Sequence, residues 1–129
     1  MKYPIFSLFI FSLFVTSCSK KLDNIPFNDN PYDNDYTGAK AIRIDSIHNN
    51  NSTGQNIIYF TRLFTNNDGV RLYRNGVKKN TITNSVNFGI NAISIGDNSP
   101  TSGTTYTYDV RLFLGSGEAA SDPYSYTTP

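Results

Sequence analysis

"TYTYDVRLFLG", residues 105–115, alternates without a break. Tyr106, Tyr108, Val110, Leu112 and Leu114 fall on one side of an extended chain, and Thr105, Thr107, Asp109, Arg111 and Phe113 on the other. A helix would scatter both sets, because its repeat is about 3.6 residues. Large apolar side chains stabilise a fold by about 1.5–3 kcal/mol each when fully buried, so the first set marks the centre of a core. The stretch predicts a β-strand, and the rest of the chain must supply its partners.

Those partners lie on both sides. Downstream, Gly115 to Glu118 turns the chain and "DPYSYTT" (122–128) makes a last strand. Upstream, "SVNFGI" (85–90) alternates cleanly, with Val86, Phe88 and Ile90 on one face. In "GVRLYRNGVKK" (69–79), Val70 and Leu72 alternate with Arg71 and Tyr73, and Asn75-Gly76 supplies the positive φ angles of a tight hairpin. "NIIYFTRLF" (56–64) is apolar on both faces, as an interior strand would be, and its periodicity leaves the inward set open. "AIRIDSI" (41–47) places Ile42, Ile44 and Ser46 opposite Ala41, Arg43 and Asp45, and Asn49 to Gly54 follows as a turn. The composition agrees: nine Tyr and nine Phe favour strands, while helix formers such as Glu, Gln and Met are nearly absent. Seven short strands in one antiparallel β-sandwich over residues 40–129 are the expected fold.

The end of that unit, "SGTTYTYDVRLFLGSGEAASDPYSYTT", resembles the last two strands of a fibronectin type III domain, an immunoglobulin-like sandwich, and "VRLYRNG" resembles its third strand and hairpin. The resemblance gives Tyr106 the place of the tyrosine-corner residue, whose hydroxyl bonds back to the loop before its strand. The family packs a Trp from its second strand into the core; this chain has none, and Phe60 takes the slot.

The beginning of the chain has another character. Lys2 precedes an apolar run, "IFSLFIFSLFV" (5–15), which as a helix reaches only about 17 Å, too short for a bilayer's roughly 30 Å hydrocarbon core. A basic start and a short apolar run form the pattern of an export signal. It ends in Val15, Thr16, Ser17 and Cys18, the one cysteine of the chain. That order resembles the bacterial lipobox, in which an aliphatic and two small residues precede the cysteine that is lipidated. The resemblance implies a signal peptide at 1–17, cleavage before Cys18, a diacylglyceryl thioether on its sulfur and a third acyl chain on the freed amine. Thiolate nucleophilicity is the reason a cysteine stands there. Ser19, where Asp would retain such a protein at the inner membrane, implies the outer membrane of a cell envelope.

Residues 18–39 read as a lipidated, flexible tether. From Ser19 to Gly38 the chain is rich in Asp and Asn and poor in apolar residues, so it offers little burial to offset the entropy of ordering. Within it, Asp33, Asp35, Thr37 and Gly38 match the first half of a calcium loop, but Ile44 stands where the closing Glu belongs, and no metal is expected.

Catalytic chemistry finds no constellation here. His48, the one histidine, lies in a polar turn without a carboxylate beside it in sequence, and Asp109 and Glu118 fall at different heights of one sheet. No cofactor is expected. A formal net charge of +1, which becomes ten bases against ten acids without the signal, gives no reason to expect nucleic acid. Lys78 and Lys79 beside Arg74 read as a small solubilising patch. Tyr73, Phe113, Tyr124 and Tyr126 would stack on sugars if they shared an outward face, which keeps a glycan-binding or adhesion role as the alternative. "DSI" at Asp45 to Ile47 resembles a short O-glycosylation acceptor. The expected role is a non-catalytic binding or spacer domain, held to the membrane by its lipid and meeting another envelope protein or a glycan.

Overall fold

The computed structural model describes residues 29–33, 35–84 and 92–129. The expected signal peptide, Cys18, the tether up to Asn28 and the expected strand at 85–90 lie outside them. The described residues form an all-β unit without a helix. Its strands are β1 (Ile42–Asn50), β2 (Gln55–Arg62), β3 (Gly69–Arg74), β4 (Val77–Thr83), β5 (Ser94–Asp97), β6 (Thr105–Leu114), β7 (Gly117–Ala120) and β8 (Tyr124–Thr127).

They make two antiparallel sheets. One is ordered β1-β2-β5; the other is ordered β4-β3-β6, with β7 and then β8 paired along the far side of β6. Ile42, Ile47, Ile58, Phe60 and Ile95 from the first sheet meet Val70, Leu72, Tyr108, Val110, Leu112 and Ala119 from the second in a single core. The arrangement is that of a two-layer sandwich. Tyr108, Val110 and Leu112 of the opening stretch have no exposed surface, while Tyr106 and Leu114 are half-buried at the two ends. In β2 the inward set is Asn56, Ile58 and Phe60, which leaves Ile57 half-buried and Tyr59 exposed.

Four expectations are corrected. Seven strands were expected, and eight are present among the described residues. Gly117 and Glu118, expected in a turn, begin an additional strand, β7, and the chain breaks at Ser121–Pro123 before β8, where a proline cannot continue a ladder. Ser121 mends the break: its Oγ accepts the Val110 N–H at 3.1 Å and donates to the Asp122 carbonyl at 2.8 Å. Ser94–Asp97 is a strand that short length, Gly96 and Asp97 hide from periodicity. In β1 the register shifts between Ile44 and Ser46, a β-bulge that brings Ile47 into the core in place of Ser46.

The hairpin between β3 and β4 has φ of 50° at Asn75 and 76° at Gly76. Both values lie in the left-handed region that the Asn-Gly pair was expected to supply. The packed unit also reaches back before residue 40. Tyr32 is a core member, its hydroxyl donates to the Asn66 carbonyl at 2.6 Å, and its ring meets Phe64 edge to face at 6.5 Å. A Cβ on Gly117 would strike the Cβ of Tyr32, so the glycine leaves the space into which this tyrosine packs.

Candidate functional site

Two groups of polar side chains are built into the sandwich. The first is buried. Asn56 on β2, Asp97 at the end of β5, Tyr108 on β6 and Thr128 beyond β8 are all nearly or fully closed to solvent. Tyr108 donates its hydroxyl to Asp97 Oδ2 at 2.7 Å and accepts from Asn56 Nδ2 at 3.0 Å. Asn56 Nδ2 also donates to Thr128 Oγ1 at 2.8 Å, and its Oδ1 accepts from Asn49 at 2.9 Å. Arg74 enters from the end of β3 and places Nη1 2.8 Å from both Asp97 Oδ2 and the Ser99 carbonyl. A buried carboxylate needs such a partner, since an unpaired charge in low dielectric is costly. Burial, and then the Asp97 carboxylate, push the Tyr108 hydroxyl well above the ordinary tyrosine range. The network stitches the two sheets together: Asn56 to Tyr108 joins β2 to β6, and Arg74 to Asp97 joins β3 to β5.

Arg74 is therefore not part of the expected basic patch. Lys78 and Lys79 remain exposed on β4, while Arg74 turns inward over the ring of Tyr106, its guanidinium 4.6 Å from the centroid. The Tyr106 hydroxyl accepts the Thr101 backbone N–H at 3.0 Å, and hydrogen bonding by the Thr101 side chain, then by its backbone, sets the Tyr106 pKa below the ordinary value.

The second group lies on the outer face of the β4-β3-β6-β7 sheet. Arg71 pairs with Arg111 and Tyr73 with Asp109 across β3 and β6, and Phe113 with Glu118 across β6 and β7. The Arg111 guanidinium stacks 3.8 Å from the Tyr73 ring centroid, and that of Arg71 stacks 4.0 Å from that of Phe113. Glu118 gathers both cations: Arg71 bonds one oxygen, Arg111 the other at 3.0 Å, and the Tyr73 hydroxyl adds a bond of 2.9 Å. Arg111 also reaches Asp109 at 2.7 Å. Burial alone would raise the Glu118 carboxyl, but these donors outweigh it and hold the group below its usual range. Two guanidiniums face two carboxylates, so the patch is neutral. It absorbs Asp109 and Glu118, which sit at different heights with Arg111 bridging them. Sequence spacing gave no sign of this ladder, because its members come from three strands; the pairing of Arg with an aromatic on each of two neighbouring strands was the available clue.

The four aromatics considered for sugar stacking do not share a face. Tyr73 and Phe113 stand on the outer surface beneath arginines, whereas Tyr124 and Tyr126 pair with the inward residues Tyr108 and Tyr106. His48 is exposed and meets Tyr59 edge to face at 5.7 Å. Asp33 accepts from the Asn30 side chain at 3.0 Å, and among the described residues no three His, Cys, Asp or Glu side chains come together as cation ligands. Asp45 of the "DSI" stretch is engaged by Thr61 at 2.7 Å and Arg43 at 2.8 Å, and Ser46 is half-buried at the bulge. Among the described residues no helix is long and apolar enough to cross a membrane. No family model, no curated protein and no solved structure matches the chain.

Proposed function

We propose that the chain is a bacterial envelope lipoprotein. In this reading Cys18 carries the lipid, the residues after it form a short arm, and a non-catalytic fibronectin type III-like sandwich serves as a binding or spacer module at the outer membrane. The observation that carries it is the order Val15-Thr16-Ser17-Cys18 directly after a short apolar run, with the chain's one cysteine at the position that lipidation needs. Each buried methylene contributes about 0.8 kcal/mol, and two or three acyl chains make attachment effectively permanent. The family reading of the domain is supported by three strands facing a larger sheet, by Phe60 in the core and by the bond from the Thr101 N–H to Tyr106. A binding or spacer role is favoured over catalysis because the polar groups the fold organises are consumed by one another. Replacing Cys18 by Ala should move the protein from the membrane to the soluble fraction, or leave an uncleaved precursor, and abolish incorporation of labelled palmitate. Unchanged fractionation and labelling would defeat the anchor.

A further inference from the structure

The free strand edges of the sandwich are not protected alike. Unpaired backbone groups on an edge invite another strand, and folds usually blunt them with charge, proline, bulges or cover. On β4 the edge carries Lys78, Lys79 and a register shift near Leu72 and Tyr73 of its neighbour. The Asn80 side chain bonds the Gly96 carbonyl of β5 at 2.8 Å, and β1 is bulged after Ile44. The sequence of β7 is Gly-Glu-Ala-Ala, without lysine, proline or bulge; Tyr32 covers it at Gly117 alone, and its one charge, Glu118, is tied to Arg71 and Arg111 on the outer face.

The ladder fixes which groups β7 leaves open. Ser121 N–H bonds the Val110 carbonyl at 2.8 Å, so Ser121, Ala119 and Gly117 turn their backbone groups toward β6. Glu118 and Ala120, of opposite parity, turn theirs away. The segment before β1 lies alongside, yet its described backbone bonds run within itself, from Asp33 N–H to the Asn30 carbonyl and from Tyr36 N–H to the Asp33 carbonyl. Between this segment and Glu118, Ala119 and Ala120 is a polar cleft of about 250 Å³. A second cleft of about 250 Å³ continues from it at Lys40 and is apolar, walled by Ile42, Ile44, Leu63, Pro123 and Tyr124. Exposed Asp29, Asp33 and Asp35 line the segment, and its one base, Lys40, is 3.7 Å from Asp122.

The geometry points to this seam as a docking site for an extended peptide of a partner protein. The peptide adds to the free edge of β7, places one apolar side chain in the Ile42–Leu63–Tyr124 cleft and sets a basic residue against the acidic segment. The inference rests on the reading of the domain as a binding module, and it names the edge and the chemistry of the partner.

The test is amide hydrogen exchange, read by NMR on the full-length protein in detergent, with a synthetic peptide Lys-Val-Thr-Val-Thr-Lys. Slowing of the Glu118 and Ala120 amides by at least about tenfold, without change on β4 or β5, is the expected result. The same peptide with Glu in place of both Lys should bind more weakly. Ala120→Pro removes one free-edge donor and spares the β6 ladder, and Ala120→Lys adds a gatekeeper without altering the backbone; both should abolish the protection. No slowing, slowing centred on β4 or β5, equal binding of the acidic peptide, or protection that follows protein concentration alone, as a second copy would give, each overturns the proposal. Membrane fractionation of the Ala120 variants reads the anchor independently, so loss of the seam and loss of the anchored module are told apart.

Discussion

Removing the hydroxyl of Tyr108 leaves Asp97 short of a donor and Asn56 short of an acceptor in a place closed to water. An unsatisfied buried polar group costs about 1–3 kcal/mol, so Tyr108→Phe should lower the unfolding free energy read by urea titration by about that much, although Phe is the more apolar residue. If the variant is as stable as wild type, the network contributes nothing net. Leu112→Ala, on the same strand and as deeply buried, should cost about 2–5 kcal/mol through lost transfer energy and the cavity left behind. The inward direction of Tyr108 was legible from its alternation with Val110 and Leu112. Its partners were not: Asn56 is 52 positions away in the chain, and no local pattern reports a bond across two sheets.

Among the elements, the hairpin joining β3 to β4 was the most legible, because left-handed backbone is a local property and Asn-Gly is the pair that tolerates it. The structure adds a further role for Asn75, whose Oδ1 accepts the Thr107 N–H at 2.9 Å while its own N–H donates to the Thr107 carbonyl at 2.8 Å. The two effects separate by substitution. Asn75→Gly keeps the φ of 50° and loses only the side-chain bond, a cost of about 1 kcal/mol; Asn75→Ala adds left-handed strain of about 1–2 kcal/mol. Equal thermal midpoints for the two variants would refute that division. β1 and β7 were less legible for a physical reason. One extra residue in a bulge reverses the inward set beyond it, so strict alternation misassigns Ser46 and Ile47. A strand as short and small as "GEAA" carries too little apolar signal to be told from a turn.

For the molecule as a whole, acid is the revealing stress. The Glu118 carboxyl is held below its ordinary 4.5 in the folded state by Arg71, Tyr73 and Arg111, against the opposing effect of burial. A depressed carboxylate pKa adds stability that is present above the unfolded value and is lost as pH falls through the folded one. Glu118→Gln should therefore lower the denaturation midpoint at pH 7 and flatten its decline below about pH 4.5. An acid limb identical to wild type would show that the outer-face ladder carries no proton-linked stability. The sandwich class was visible across residues 40–129, since turn residues recur there and period-two alternation marks most of the longer strands. The two polar groups were not visible, because each draws on strands that only the folded topology makes neighbours.

Tyr32, wedged against Gly117 and bonded to Asn66, has a mechanical meaning. Tension applied to the chain upstream of Asn30 arrives first at this ring, and only afterwards at the hydrogen bonds between β1 and β2. A side chain packed into the core has to be extracted whole, whereas a ladder gripped from its end yields one rung at a time. The tyrosine thus serves as a strain relief for the sheet behind it, in the way a knot behind a panel spares the solder joint on a cable.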